Sequence, residues 1–298
     1  MISTLPRLDA ALPHPAPAQR TRFVATVVTV VGALLLAVVL QAVLVSPLRA
    51  ARDQHVAYDD FRYQLANGTA PVGQVGGDDH LLPLGTGVAI VRVPALGLDD
   101  VVLEGTTSGV MVSGPGHRRD TVLPGQAGAS VLMGRQAAYG GPFGGIAALA
   151  VGDVITTVTG QGEATYRVSG VRRSGDPLPP VLAPGAGRLT LVSATGGRLL
   201  PDDVVRVDAD LVSEPFATPQ QVLSYAELPA DETAYAGDGS AWPWLVICLG
   251  ALAVVVLLTV LLRRWWGRSQ AWVVGVPLVL LCGVLAAHQV MVLLPNLL

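Results

Sequence analysis

Few side chains outside the long apolar segments of this chain could carry out chemistry. Ser193 and His117 are a candidate nucleophile and a candidate base, and Arg135 could stabilise negative charge. Ser193 belongs to the run Arg188-Leu-Thr-Leu-Val-Ser-Ala-Thr195, whose β-branched and apolar residues predict a strand. Because successive strand residues point to opposite faces, Ser193 faces away from any cleft that Ala194 borders. An alanine methyl group cannot attack a carbonyl carbon, so this strand ends without a nucleophile.

Cysteine chemistry is restricted by the positions of the two cysteines. Cys248 and Cys282 both lie within long apolar segments, where cysteine usually acts as a small packing residue. The polar middle of the chain therefore has neither a disulfide nor a thiol nucleophile.

Several short motifs resemble those of sortases, the membrane-anchored cysteine transpeptidases of bacterial surfaces. The run Thr190-Leu-Val-Ser-Ala194 is similar to the sortase signature TLxTC, with Ser193 at the threonine and Ala194 at the cysteine. The resemblance is to the actinobacterial, class E/D-like sortases, and it extends over roughly residues 85 to 212. The other matching motifs, in the family's order and spacing, are Val93-Pro-Ala-Leu-Gly-Leu-Asp99, Glu104-Gly105, Gly114-Pro-Gly-His117, Leu123-Pro-Gly125, Tyr139-Gly-Gly-Pro-Phe143 and Val151-Gly-Asp153.

The resemblance implies three catalytic positions, and all three hold other residues. In sortases a thiolate attacks the peptide carbonyl, a histidine acts as acid or base, and an arginine stabilises the oxyanion. Ala194 stands at the cysteine, Arg135 at the histidine, and Asp203 or Val204 at the arginine. Arginine remains protonated and cannot shuttle a proton, and an aspartate would repel an oxyanion. The sequence therefore predicts a catalytically degenerate sortase with no catalytic residues.

Four residues are candidates for binding in the former cleft. They are His117, Arg135, Ser193 and Arg198. Ordinary structural roles are the alternative, such as a buried hydroxyl bonded to main chain for Ser193 or a solvated guanidinium for Arg198. The sequence has no cluster of histidine, cysteine or acidic residues with metal-ligand spacing, so we expect neither a metal nor a cofactor.

The fold expected from these patterns is mainly β. Short β-rich runs separated by Gly and Pro are typical of a closed barrel or a sandwich, and the resemblance favours a sortase-like closed β-barrel of seven or eight strands with short helices. Seven strands are predicted at Val88–Val93, Val101–Glu104, Ala129–Met133, Val154–Thr159, Thr165–Val171, Leu189–Ser193 and Val204–Val212.

Three apolar stretches predict transmembrane α-helices. Residues 23–45, 242–262 and 271–294 each reach the ~20 apolar residues that cross the hydrocarbon of a bilayer. The first is read as an uncleaved anchor, because its apolar run exceeds the ~7–15 residues of a signal peptide. Arginines before the first span and between the second and third place those segments in the cytoplasm by the positive-inside rule. The sequence thus predicts a multi-pass protein of the cell membrane with its barrel outside the cytoplasm.

These predictions divide the chain into eight segments. A helix near Tyr58 to Leu65 is expected within the stalk. The segments are a cytoplasmic N-terminus at 1–22, a span at 23–45, an extracytoplasmic stalk at 46–84, the barrel at 85–213, a linker at 214–241, a span at 242–262, a cytoplasmic loop at 263–270 and a span at 271–294.

Three functions remain open at the level of sequence. The favoured one is a non-catalytic pseudo-sortase that binds a peptide, a cell-wall precursor or another surface or membrane protein. The alternatives are an active transpeptidase with relocated catalytic residues and a structural subunit of a membrane complex. Nucleic acid is excluded as a partner, because the chain has no lysine and a net charge of -3.

Overall fold

The computed structural model describes residues 35–77, 79–197, 201–265 and 268–298, together with Thr21, Val24, Val28 and Gly32. Apart from Thr21, the predicted cytoplasmic segment 1–22 lies outside the described residues. Arg198, one of the candidate cleft residues, also lies outside them.

Eight strands close into one barrel, which confirms the predicted fold class. The order around the barrel is β1-β2-β3-β4-β7-β8-β6-β5, and β1 pairs with β5 to close it. Two neighbouring pairs, β2 with β3 and β4 with β7, are parallel. The strands are β1 Gly87–Val93, β2 Leu98–Glu104, β3 Gly116–His117, β4 Gly128–Met133, β5 Val154–Thr159, β6 Gly162–Arg172, β7 Gly187–Gly196 and β8 Pro201–Leu211.

The eighth strand is one that the sequence pattern did not predict. It is β3, only two residues long, and it bridges β2 and β4. Two residues are too few for an alternating pattern, so its position depends on partners distant in sequence.

Alternation along the strands separates the barrel interior from its outer face. Leu189 and Leu191 of β7 point inward and pack with Val205 and Val207 of β8 in the main core. Residues between them point outward, as the period of two requires. The parallel pairing of β4 with β7 sets Met133 opposite Val192, so the residues that follow β4 lie beside the end of β7.

The stalk contains a longer helix than the sequence predicted. Helix α1 covers Ser46–Asn67 and continues a π-helical turn at Gln41–Val45. It ends at Gly68, whose positive φ of 65° suits glycine. Phe61 of α1 is 1% exposed and packs with Ile90 and Val101 of the barrel. The barrel therefore stabilises this helix along its length, which a local pattern cannot reveal.

Gln54 fastens α1 to the barrel through its side-chain amide. Its Nε2 donates to the carbonyl oxygens of Val101, at 3.0 Å, and Ser113, at 2.8 Å. Its Oε1 accepts from the Val101 N–H at 2.7 Å. A Cβ at Gly114 would overlap this amide, which gives the first glycine of the Gly114-Pro-Gly-His117 motif a physical reason.

The predicted linker also lies against the barrel. Phe216 packs on the main core, and its N–H donates to the Gly125 carbonyl at 2.8 Å. Further along, Glu232 is 1% exposed and forms a bidentate ion pair with Arg119. The segment is thus packed on the barrel, although its sequence shows no periodicity.

Three helices are long and apolar enough to cross a membrane. They are Leu35–Asn67, Gly239–Leu262 and Val273–Leu293, judged by length and composition. The last two belong to α2, Trp242–Trp265, and α3, Arg268–Leu293, which pack together as a pair. A Cβ at Gly275 of α3 would meet the side chain of Thr259 of α2, so a small residue allows close contact there.

We predict that Gln54→Ala loosens α1 from the barrel. The substitution removes three hydrogen bonds to main-chain groups, each worth about 1 kcal/mol, and leaves buried main-chain groups unpaired. Amide hydrogen exchange, read by mass spectrometry on the full chain in detergent, should become faster in residues 46–67 and 98–114. Tyr63→Ala is the matched control, because that side chain on the same helix is 72% exposed. Equal exchange in both variants would show that Gln54 does not hold the helix.

Candidate functional site

Ala194 lies on the outer face of β7, within a small buried cluster. It is opposite Val204 of β8 and is 3% exposed. The cluster is completed by Met111, Met133, Val192 and Leu297. These buried side chains are all apolar, so none of them is a nucleophile.

The cover over Ala194 comes from residues 294–298, which follow the last helix and which we call the plug segment. Leu297 is fully buried in the cluster. Its carbonyl oxygen accepts a hydrogen bond from the Gln136 N–H at 2.9 Å. The neighbouring Asn296 donates through Nδ2 to the carbonyls of Thr106 and Thr233, at 2.8 and 2.9 Å. The sequence did not predict these contacts, in which Asn296 pairs with residues 63 and 190 positions away.

Arg135 is fully buried beside the same cluster, close to the end of β4. Its Nη2 donates to the Ser108 main-chain oxygen at 3.0 Å and to the Ser108 Oγ at 2.7 Å. Its Nε donates to the Met111 carbonyl at 3.2 Å, and its Nη1 donates to the main-chain oxygen of Leu298 at 3.2 Å. The guanidinium therefore connects the 108–111 loop to the plug segment.

The hydrogen-bond acceptors of the Arg135 guanidinium are main-chain oxygens and the Ser108 hydroxyl. Among the described residues no side-chain carboxylate forms an ion pair with it. The Tyr139 ring lies 5.2 Å from the guanidinium carbon, within cation–π range. Burial lowers the pKa of Arg135 to about 10, which still leaves it protonated at neutral pH. It can donate hydrogen bonds but cannot take a proton from a nucleophile.

Ser193 is buried on the opposite side of β7 from Ala194. Its hydroxyl donates to the Gly134 carbonyl at 2.9 Å, and its side chain is fully buried. This bond is the only one that the described residues give to the hydroxyl, and no histidine takes part in it. A serine nucleophile requires a base within hydrogen-bond reach, which this geometry does not provide.

His117 sits in a buried polar pair inside the barrel wall. Its Nδ1 lies 2.8 Å from Glu104 Oε2, and its Nε2 lies 3.0 Å from the Val122 carbonyl oxygen. Burial lowers the pKa of His117, but the Glu104 carboxylate, the Val122 carbonyl and the Asp120 charge together outweigh burial and raise the pKa above its ordinary value. Both ring nitrogens have protein partners, so the histidine serves the structure of β2 and β3.

The two candidates for the oxyanion arginine position occupy different surroundings. Val204 faces Ala194 across the strand pair and belongs to the apolar cluster. Asp203 pairs with Thr195, and its Oδ1 accepts from the N–H of Val204 at 2.7 Å. Arg206 lies two residues beyond Val204 on the same face, opposite Val192. The side chain opposite Ala194 is thus apolar and cannot stabilise an oxyanion.

An open cleft of about 800 Å³ lies beside the cluster, where β7 ends and β8 begins. Arg173, Thr195, Asp203 and Tyr235 are among its lining residues. Tyr235 donates from its hydroxyl to the Asp203 carbonyl at 2.7 Å. Within the described ranges, no group of three histidine, cysteine or acidic side chains could hold a metal ion.

The site around Ala194, as far as the structure describes it, brings no nucleophile next to a base. It offers donors at Arg135 and Gln136 and an apolar pocket around Ala194. Sequence reasoning identified Arg135 and Ala194, but it missed Leu297, Asn296 and Ser108. The sequence did contain one signal. Pro295 and Asn296 directly follow the third apolar span, and these residue types indicate a specific contact there as well as the end of a helix.

Comparison with known proteins finds similarity to one protein family over part of this chain. Residues 91–196 match the model of the sortase domain, which is about a third of the chain. No curated protein matches the chain significantly. A Clostridium perfringens sortase D5 transpeptidase is 21% identical, with a TM-score of 0.45, over 54% of this chain and 99% of its own. Sortase E1 from Streptomyces coelicolor, solved with a tripeptide in the active site, is 24% identical, with a TM-score of 0.39, over 43% of this chain and 90% of its own. A sortase from Actinomyces oris is 24% identical, with a TM-score of 0.39, over 45% of this chain and 83% of its own.

The buried pair of His117 and Glu104 predicts a pH dependence of stability. Because the folded-state pKa of His117 is raised, its contribution is fully present below the ordinary value near 6.5 and is lost as pH rises through the raised pKa. The midpoint of thermal unfolding, measured by calorimetry on the full chain in detergent, should therefore fall more from pH 6 to pH 9 in the wild type than in His117→Gln.

The control for this prediction is His55→Gln. The His55 side chain is 81% exposed, so the variant should keep the wild-type pH profile. A wild-type advantage over His117→Gln that grows with rising pH would contradict the prediction.

Proposed function

We propose that this chain is a non-catalytic, membrane-anchored sortase-like protein of the bacterial cell surface. Its barrel binds a peptide, a cell-wall precursor or a neighbouring membrane protein, and it does not transfer an acyl group. The observation that carries the proposal is the apolar cluster over Ala194, where a nucleophile, a base and an oxyanion donor would have to meet. The match of residues 91–196 to the sortase domain is the reason for comparing position 194 with the sortase cysteine.

The remaining polar groups support the proposal. Arg135 stands at the position that the resemblance assigns to the histidine, and its four hydrogen bonds go to oxygens of the protein. Ser193 donates to Gly134 on the other side of the strand. These contacts stabilise the folded chain and leave no proton shuttle next to a nucleophile.

The membrane arrangement is part of the proposal. Three apolar helices support a multi-pass protein, and the arginine pattern favours a cytoplasmic N-terminus with the barrel outside. The cell-surface location, the actinobacterial origin and the class E/D-like subtype follow from the motif resemblance. Because α1 and the helix pair both contact the barrel, we infer that the barrel sits close to the outer surface of the membrane.

The proposal is tested by a transpeptidation assay on the full chain in detergent. The protein is incubated with a pool of sorting-motif peptides and an amine acceptor, and mass spectrometry reads cleaved, exchanged and acyl-bound species. We expect no turnover, while an active sortase added to the same mixture gives product. Turnover that Ser193→Ala abolishes would instead identify an enzyme with relocated catalytic residues.

A second arm restores two of the lost groups. Ala194→Cys with Arg135→His supplies a thiol and an imidazole, but Val204 still faces position 194 without a donor for the oxyanion. Loss of one such donor costs roughly a hundredfold or more in rate, so we expect at most weak turnover. Robust turnover by this double variant would refute the assignment of Asp203 and Val204 to the arginine position.

A further inference from the structure

We propose that the cleft over Ala194 is a peptide-binding groove whose resident ligand is the plug segment of the same chain. A separate peptide of similar character, with an asparagine followed by a leucine, would occupy the groove once the plug segment leaves. The inference rests on the proposed function, because it assigns to the non-catalytic cleft a ligand class and a means of regulation.

The first observation is that the groove forms hydrogen bonds with the main chain of the plug segment. The Leu294 carbonyl accepts from Ser108 Oγ at 3.1 Å, and the Asn296 N–H donates to the Ala236 carbonyl at 2.8 Å. The main-chain oxygens of Leu297 and Leu298 accept from Gln136 and Arg135. Main-chain pairing of this kind is how extended peptides gain affinity, while pockets for side chains give specificity.

The second observation is a pocket for one aliphatic side chain. Leu297 is 0% exposed among Met111, Met133, Val192, Ala194 and Val204. A charged side chain placed there would be buried without a partner, so the pocket selects leucine or a similar residue. The short side chain of Ala194 leaves room that a larger residue at this position would fill.

The third observation is an incomplete fit at the preceding position. Asn296 is fully buried, and its Nδ2 donates to two carbonyls, Thr106 and Thr233. Its Oδ1 has no hydrogen-bond partner in the described structure. A buried acceptor without a partner weakens binding, so the resident ligand is held less tightly than its contacts alone would allow.

The fourth observation is the tether. The plug segment follows α3, whose end lies beside the start of the helix pair: the Asp238 N–H donates to the Val292 carbonyl at 3.4 Å. A covalently attached ligand has an effective concentration on the order of millimolar. A separate peptide therefore competes well only after a movement of α3 or a loss of the plug segment. The groove is thereby coupled to the membrane-spanning helix pair.

The experiment measures whether the plug segment covers position 194. Cys248→Ala and Cys282→Ala give a background without cysteines, and Ala194→Cys then provides one reporter thiol in the full chain in detergent. We expect slow labelling by a soluble maleimide, and labelling at least about tenfold faster when Leu297→Asp is added or residues 295–298 are removed. Val181→Cys, at a position that is 96% exposed, should label at one fast rate in every background.

A second reporter guards against damage to the fold by the first. Val204→Cys replaces a side chain of the same cluster by a smaller one, so it does not crowd Leu297. It should show the same protection and the same release. Equal labelling rates with and without the plug segment, at both reporters, would overturn the proposal.

The ligand class is tested by adding the segment back as a peptide. Leu-Leu-Pro-Asn-Leu-Leu, the sequence of residues 293–298, should restore slow labelling of the variant that lacks residues 295–298, in a saturable manner. Leu-Leu-Pro-Asn-Asp-Leu should leave labelling fast, because its aspartate cannot enter the pocket. Protection by neither peptide, or equally by both, would refute the groove as a peptide site.

The labelling test and the transpeptidation test can each contradict one proposal without contradicting the other. Labelling reports occupancy and requires no turnover. Turnover by the variant that lacks residues 295–298, with Ala194 intact, would overturn the proposed non-catalytic function. The proposal that the plug segment occupies the groove would still hold. Unchanged labelling without turnover would refute the proposal that the plug segment is the resident ligand. The proposed non-catalytic function would still hold.

Discussion

The structure depends on one buried guanidinium, that of Arg135, which has no Asp or Glu partner among the described residues. Arg135 donates four hydrogen bonds to oxygens of the 108–111 loop and of the plug segment, and the Tyr139 ring lies beside it. A cation of this kind is costly to bury unless its donors find acceptors. The loop, the end of β4 and the residues after α3 must therefore come together for the fold to be stable.

This requirement connects the barrel to the helices. The same rim that carries Tyr139 packs with Ala50 from α1 and with Met291 and Val292 from α3. Gln54 adds hydrogen bonds between α1 and the main chain of Val101 and Ser113. A position that the motifs associate with proton transfer thus contributes here to the contact between the barrel and the residues that follow the apolar helix α3. We infer that changes in the helix pair are transmitted to the cleft through residues 294–298.

Much of the fold could be predicted because its signals are local. The short β-rich runs between Gly and Pro predicted seven of the strands, and together with the sortase motifs they indicated a closed barrel. The two-residue β3 could not be predicted, because its pairing depends on β2 and β4. The length of α1 and the packing of the predicted linker were missed for the same reason: Phe61, Phe216 and Glu232 are buried by partners far away in sequence.

The sequence by itself determined which reactive side chains are available between the apolar spans. The period of two along β7 puts Ser193 and Ala194 on opposite faces, and no cysteine is present between the spans. Only the tertiary structure decided which residues surround Ala194. Arg135 and Leu298 are 163 positions apart. They are in contact because the residues after β4 and the residues after α3 lie next to each other in the fold. Local patterns specify which way a side chain points, whereas a cleft and its occupant arise from packing between distant segments.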